Sequence, residues 1–250
     1  MKVEYPSDEM KKQSIQFICE QTKSKKQNAF SFLFDTYKKI GVKVIFKNSV
    51  FPYALSIVIY TLCLTLALTA LGNIYKDETL FADILLLFFF ASPIIMQLSE
   101  LLYFVYETPS GVLEYQNSYK YTAYQMSLLR MPLFSVATMV INCIIAIIWC
   151  GMNGISNVLA PFGLIACSVF TYSMIHVALF NRYKRIGLII ASVLWFGING
   201  ILLVLSTKVK IALFVTVPFA MHLAVAVVLM TAFAKLIKNS YLKPACLVTD

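Results

Sequence analysis

Apolar residues are concentrated in six long runs that are separated by short polar connections. A helix needs about 20 mostly apolar residues to cross the roughly 30 Å hydrocarbon core of a bilayer, and each run is long enough to do so. The pattern therefore predicts an all-α membrane protein with six transmembrane helices. The predicted spans are residues 50–71, 80–103, 123–149, 158–179, 186–205 and 211–234.

Residues 30–47, just before the first span, follow a different pattern. Their apolar side chains recur at three- and four-residue steps, whereas Asp35, Lys39 and Lys43 fall on the other side. This spacing predicts an amphipathic helix in the plane of the membrane, with its basic face at the anionic inner leaflet. A surface helix on a cytoplasmic domain is the alternative, although no other segment could build such a domain. The predicted apolar face is Phe30, Leu33, Phe34, Tyr37, Ile40, Val44 and Ile45.

Composition agrees with a membrane protein, and charge predicts its orientation. Charged residues make up 13% of the chain and the mean hydropathy is +0.77, whereas soluble domains are about 25% charged. With the N-terminus inside, the inner segments hold eighteen Lys and Arg, and the outer loops hold Lys76, Lys208 and Lys210. Basic loops stay in the cytoplasm during insertion. We therefore expect a plasma-membrane protein with a cytoplasmic N-terminal segment (1–29) and tail (235–250), and its charge requires no nucleic-acid partner.

The connection between the second and third spans is the longest inner one. Thr108 and Pro109 favour the start of a short helix that reaches Tyr115. Thr122 and Gln125 match a capping box, so the third span should begin near residue 123. The short helix would expose apolar and acidic side chains together. This pattern fits a docking site for a protein partner, and it fits an ordinary helical loop equally well.

Ionisable side chains at membrane depth are few, and they normally find a partner. Glu100 and Arg130 lie at similar depths on consecutive antiparallel spans, so we predict that they pair. The alternative is that each extends separately to the inner interface. His176 and His222 are isolated in the fourth and sixth spans, where hydrogen bonding between helices is a commoner role than proton relay.

Hydroxyl side chains in the first span form a stripe at four-residue spacing. These hydroxyls either line a pathway or bond back to the carbonyl four residues earlier, and the second arrangement is the commoner one. The candidate pathway residues are Tyr60, Thr61, Thr65 and Thr69.

Motifs for catalysis and for cofactor binding are missing from the sequence. It has no phosphate-binding loop, no zinc-protease motif and no serine-hydrolase motif. We therefore expect no enzymatic activity and no cofactor in this chain. The cysteines lack the spacing of a zinc site or of a disulfide framework; they are Cys19, Cys63, Cys143, Cys150, Cys167 and Cys246.

Over nearly its full length, the chain resembles the ABC transporter permeases of the ABC-two type, in their compact six-span bacterial form. Three features carry the resemblance. The amphipathic segment 30–47 resembles the connecting or elbow helix of the family, residues 107–131 resemble its inner loop between spans two and three, and both termini are expected inside. The connection between spans five and six is shorter than in larger members, which leaves little room for their re-entrant outer helices.

The resemblance implies a function and a set of partners. The short helix of the inner loop would be a coupling helix that rests on an ATPase subunit, so energy would come from ATP and Mg on two copies of that partner. A second permease chain, identical or similar, would complete the pathway for an amphipathic or apolar cargo such as a peptide, antibiotic or lipid. Alternatives are a membrane sensor or immunity protein and, third, an ion-coupled carrier. The implied coupling residues are Glu107, Gly111, Val112, Leu113, Glu114 and Tyr115.

Overall fold

A computed structural model describes most of the chain, and the described residues are helical apart from short turns, with no strand among them. Six of the helical segments are long and apolar enough to cross a membrane. The prediction of an all-helical, six-span protein is therefore confirmed, and the chain is a multi-pass membrane protein. The described residues are 28–41, 45–46, 50–74, 78–107, 123–152, 159–183, 185–204 and 207–242.

The helix boundaries largely agree with the apolar runs, and the sixth span differs most. The third span begins at Ala123, where the sequence predicts its start. The sixth begins at Phe219 rather than near residue 211, because residues 207–216 form separate short helices and Pro218 precedes it. The amphipathic helix is Ala29–Ile40, and the spans are Val50–Ile74, Glu78–Ala91 with Ile94–Glu107, Ala123–Met152, Ala160–Tyr183, Arg185–Val204 and Phe219–Tyr241.

The sixth span also ends later than predicted. It continues to Tyr241, so Lys235 and Lys238 belong to its last turns and not to a separate tail. The short helix Thr207–Ile211 occupies what the sequence suggested was an outer loop.

The second span consists of two helices that meet at Ser92 and Pro93. Proline lacks the N–H that would continue the helical hydrogen-bond ladder. Backbone groups at this break have hydrogen-bond partners. The Ser92 N–H donates to the Phe88 carbonyl at 3.0 Å, and the Asn142 side chain of the third span donates to the Ser92 carbonyl at 3.3 Å. The break is therefore covered by a neighbouring span.

The fourth span lies at the centre of the bundle. In its most apolar stretch 67% of the residues are buried, whereas the share is 22% in each of the first, fifth and sixth spans. Two glycines allow close approach to it. A Cβ atom at Gly163 would lie 2.7 Å from the Cβ of His222, and one at Gly187 would lie 2.5 Å from the carbonyl oxygen of Leu179. The sixth span and the start of the fifth are thus packed tightly against the fourth.

The amphipathic helix is shorter than predicted and packs differently. It ends before Gly41, whose φ of 83° favours glycine and whose N–H bonds to the Tyr37 carbonyl. It buries Phe32 against the sixth span, where the Phe32 and Tyr241 rings meet edge to face at 5.5 Å. Phe34, on the predicted apolar face, is 72% exposed. The helix therefore packs one side on the bundle and leaves part of its apolar face uncovered.

Candidate functional site

The most unusual chemistry in the structure lies where the second and fourth spans meet. Glu100 Oε2 is 3.0 Å from Nε2 of His176, whose side chain is 1% exposed. The two atoms are at ion-pair distance without the alignment of a hydrogen bond. His176 of the fourth span therefore contacts Glu100 of the second span, and the hydrogen bond between helices that its position suggested remains a prediction.

Arg130 has a different partner from the one predicted. Its guanidinium donates to the Tyr103 hydroxyl at 3.1 Å and lies 4.3 Å from the centre of the same ring. The direct ion pair predicted between Glu100 and Arg130 is therefore not formed. The physical reason is that Tyr103, one turn beyond Glu100 on the same helix, offers both a hydroxyl and a ring face to the cation, while His176 reaches the carboxylate.

These side chains belong to a larger polar group, which we call the inner polar cluster: Gln97, Glu100, Arg130, Tyr172 and His176. Tyr172 lies close enough to Glu100 for an electrostatic interaction, and its ring centre is 5.8 Å from that of His176. Each member has a buried nitrogen or oxygen without a hydrogen-bond partner in the described part of the chain. Buried polar atoms without a hydrogen-bond partner cost free energy, so ionisable groups buried in a membrane span often mark a functional site. The cluster contains an acid, a base and a fixed cation, so it could exchange a proton or hold a polar group.

A second polar group ties the first three spans together. The Tyr60 hydroxyl donates to the Asn142 side-chain oxygen, and Asn142 in turn donates to the carbonyls of Ser92 and Thr138. Tyr60 is 3% exposed. In this structure Tyr60 is a link between spans; that it lines a pathway remains a prediction.

The threonine stripe of the first span bonds back to its own helix. The hydroxyls of Thr61, Thr65 and Thr69 donate to carbonyls four residues earlier, at 2.8, 2.8 and 3.0 Å. This is the commoner of the two arrangements considered. Thr65 and Thr69 are also exposed on the outside of the bundle, so a pathway along them would need a second chain.

The opposite end of the bundle holds an exposed ion pair that the sequence did not predict. Lys210 Nζ lies 3.2 Å from Asp83 Oδ1. Nearby, Phe214 is buried against Leu85 and Leu164. The connection between the fifth and sixth spans is therefore packed on the bundle as a short helix followed by a π-helical turn, Ala212–Thr216.

The predicted coupling segment lies almost entirely outside the described residues. Glu107 is the last residue of the second span. Gly111, Val112, Leu113, Glu114 and Tyr115 are not among the described residues, so their role remains a prediction.

A groove of about 520 Å³ lies between the amphipathic helix and the third, fourth and sixth spans, and side chains from all four elements line it. Tyr37 crosses one side of it and donates from its hydroxyl to the Leu129 carbonyl at 2.9 Å. That turn of the third span is loosened by Pro132, which has no N–H for the carbonyl of Leu128. The bond therefore fastens the amphipathic helix to a weakened turn.

Within the described ranges, no three His, Cys, Asp or Glu residues come together as a metal site would require. The described cysteines Cys63, Cys143, Cys150 and Cys167 are unbonded to one another. Comparison with protein-family models, curated proteins and solved structures found no match for this chain.

Proposed function

We propose that this chain is the permease subunit of an ATP-driven exporter of the ABC-two type, which moves amphipathic or apolar cargo with energy from a separate ATPase subunit. The observation that carries the proposal is the attachment of the amphipathic helix to the third span through Tyr37 and Leu129. The helix would serve as the elbow, and the chain would be a transport subunit without catalysis or a cofactor of its own.

This attachment suits the transmission of force from the inner loop. The third span begins at Ala123, eight positions beyond Tyr115, the last of the proposed coupling residues. A push on that segment would reach Leu129 within two turns and would pass through Tyr37 to the amphipathic helix. From there the contact between Phe32 and Tyr241 leads to the sixth span. A displacement at one loop would thus move two distant spans together.

The uncovered spans suit a second permease chain. In the most apolar stretch of the first, fifth and sixth spans only 22% of the residues are buried. These spans carry large exposed apolar side chains such as Leu62, Val193 and Val228. Two copies could enclose a mainly apolar pathway between such faces, which fits amphipathic or lipid-like cargo better than ions.

The test is co-purification with a defined control. Detergent extraction of the intact complex should yield an ATPase with a phosphate-binding loop, identified by mass spectrometry, in equal amount with this chain. Leu113→Asp should release that ATPase, because it places a charge in the proposed contact. Leu242→Asp, at an exposed apolar residue at the end of the sixth span, should leave it bound. A purified chain that hydrolyses ATP alone, or that transports without ATP, would refute the proposal.

An ion-coupled carrier is the second candidate, and the contact between Glu100 and His176 favours it. Buried carboxylates and histidines in membranes often belong to proton pathways. In vesicles, transport by a carrier would stop when the proton gradient collapses and would not depend on ATP. Transport by the permease would require ATP and would continue without the gradient. A bound ATPase without cargo movement would instead indicate a sensor or immunity protein.

A further inference from the structure

The inner polar cluster holds an acid and a base in direct contact. Glu100 Oε2 and His176 Nε2 are 3.0 Å apart, and the two side chains are 15% and 1% exposed. The lone pairs of an oxygen and a nitrogen at this distance repel each other unless a proton lies between them. The last torsion of a glutamate side chain is broad, so a small rotation of the carboxyl group aligns such a proton. The contact therefore has the geometry of a site that holds a proton.

The position of Arg130 indicates which atom carries that proton. Arg130 lies close enough to Glu100 for an electrostatic interaction, yet its guanidinium donates to the hydroxyl of Tyr103. A hydrogen bond from a guanidinium to an anionic carboxylate is roughly twice as strong as one between neutral groups. The guanidinium would therefore pair with Glu100 if the carboxyl group were ionised. Its contact with Tyr103 indicates a neutral carboxyl group, whose O–H faces the imidazole of His176.

The side chains around the pair leave Arg130 as its charged neighbour within the part of the chain that the structure describes. The other neighbours carry hydroxyl groups, which are neutral near pH 7. They are Tyr103 of the second span, Tyr172 of the fourth and Ser192 of the fifth.

The first and sixth spans also pack against these helices, and their titratable groups have other surroundings. Tyr53 of the first span bonds to the third span. Lys238 of the sixth span lies over a ring of the amphipathic helix, and Lys235 is exposed. His222 packs against Gly163, which belongs to the opposite end of the fourth span. The charge that faces Glu100 is therefore that of Arg130.

We propose that Glu100 and His176 form a proton-binding site, and that the bound proton decides whether Arg130 contacts Tyr103 or Glu100. With the proton bound, the carboxyl group donates to the imidazole and Arg130 stays on Tyr103. When the proton leaves to water, which reaches the partly exposed Glu100 side chain, the carboxylate is an anion that needs a partner. Arg130 supplies one, because its Nε has no hydrogen-bond partner in the described part of the chain.

Infrared spectroscopy of the full chain in lipid nanodiscs tests the site, because a protonated carboxyl group and a carboxylate absorb at different frequencies. At neutral pH we expect a protonated-carboxyl band that disappears in Glu100→Gln. Asp83→Asn, at the exposed carboxylate that pairs with Lys210 at the other end of the bundle, should leave the band in place. A spectrum in which Glu100→Gln removes no such band would overturn the proposal. Neither ATPase nor cargo is present, so this result would leave the transport proposal untouched.

The role of His176 is tested by the frequency of the same band. His176→Leu removes the acceptor of the carboxyl proton, so the band should move to the higher frequency of a carboxyl group without a hydrogen bond. His222→Leu, at the histidine of the sixth span, should leave the frequency unchanged. A band that stays in place in His176→Leu would show that the proton faces another group and would overturn the assignment to this pair.

The exchange of partners at Arg130 is tested by raising the pH until the band disappears. Arg130→Gln removes the cation that stabilises the carboxylate, so the band should persist to a pH about one unit higher. Tyr103→Phe removes the competing hydroxyl and keeps the ring, so the band should disappear at a lower pH. Arg182→Gln is the charge-matched control, because Arg182 lies over Tyr183, and it should change nothing.

The opposite directions of these two shifts distinguish the proposal from a loosened fold. Entry of water beside Glu100 would make the carboxylate easier to form in both variants, and the band would then disappear at a lower pH in each. Shifts of Arg130→Gln and Tyr103→Phe in the same direction, or a shift in Arg182→Gln as large as that in Arg130→Gln, would overturn the proposed exchange.

Discussion

At the scale of single residues, Asn142 shows how one polar side chain can hold three spans together in an apolar medium. It is fully buried, accepts a hydrogen bond from Tyr60 of the first span and donates to the carbonyl of Ser92 in the second. The Ser92 carbonyl lies at the break before Pro93. Asn142 therefore compensates for a defect in a helix to which it does not belong.

Replacing this side chain tests that role. Asn142→Leu keeps the branched shape of the side chain but leaves the Tyr60 hydroxyl and the Ser92 carbonyl without partners, so the free energy of unfolding should fall by about 1 to 2 kcal/mol. Unfolding by detergent titration measures the loss. Thr65→Val removes a hydroxyl that bonds within its own helix and should change stability by less than about 0.5 kcal/mol. Equal effects of the two changes would contradict the bridging role.

The contact between Glu100 and His176 is tested by a double-mutant cycle. Glu100→Gln and His176→Gln should show a coupling energy of about 1 kcal/mol, because the atoms are 3.0 Å apart and buried. The control cycle pairs Glu100→Gln with His222→Gln, since His222 lies elsewhere, against Gly163. Additive effects in the first cycle, within about 0.3 kcal/mol, would show that the contact contributes nothing.

Sequence reasoning located Glu100, Arg130 and His176 but did not predict their partners correctly. The depth of a residue in the membrane can be counted from its position along a span, and this count put Glu100 and Arg130 at similar depths. Partner choice depends instead on how the helices rotate about their axes. The central position of the fourth span brings His176 to Glu100, and this position follows from packing at Gly163 and Gly187 that one sequence does not reveal.

At the scale of elements, the tight contact between the fourth and sixth spans depends on Gly163. An added methyl group would lie 2.7 Å from the Cβ of His222, so Gly163→Ala should force the helices apart and cost about 1 to 3 kcal/mol of stability. Gly200→Ala is the matched control, because nothing lies within 4 Å of its added Cβ. Thermal unfolding in detergent should separate the two variants. A Gly163 variant as stable as the Gly200 variant would show that the contact is loose.

The attachment of the amphipathic helix can be tested through Tyr37. Tyr37→Phe removes the bond to the Leu129 carbonyl and should cost about 1 kcal/mol at neutral pH. Burial raises the pKa of Tyr37 above its usual value near 10. Above about pH 10 the unfolded chain therefore loses this proton while the folded chain retains it, so the folded protein loses stability as the pH rises.

The phenylalanine variant lacks this titration. The stability difference between the two proteins should therefore be largest below about pH 10 and should shrink at higher pH. Unfolding followed between neutral and alkaline pH measures this difference. A constant difference across that range would contradict the burial of the hydroxyl.

The elements themselves were largely predictable, and the exceptions have local causes. The length of an apolar run predicts a membrane-spanning helix well, because the thickness of the bilayer sets how many residues are needed to cross it. Apolar length alone did not predict the break at Pro93 or the separate helices within 207–216, because both lie inside or beside apolar sequence. The amphipathic helix ends early because Gly41 adopts a positive φ, although the apolar periodicity continues beyond it.

At the scale of the whole molecule, the charged groups are separated between the two ends of the bundle. Asp83 and Lys210 pair at one end. Lys38, Lys235 and Lys238 lie at the other, where the amphipathic helix packs on the sixth span. The bias of basic residues predicts that this second end faces the cytoplasm. The transport proposal requires that orientation.

Labelling of single cysteines tests the orientation directly. In a chain whose natural cysteines are replaced by alanine, Lys208→Cys and Asn239→Cys introduce exposed thiols near opposite ends. A maleimide that cannot cross membranes should label position 208 in intact cells and position 239 only after permeabilisation, because eighteen of the 21 basic residues oppose translocation of the inner segments. Labelling at position 239 in intact cells would invert the topology. It would place the predicted coupling segment out of reach of any cytoplasmic ATPase.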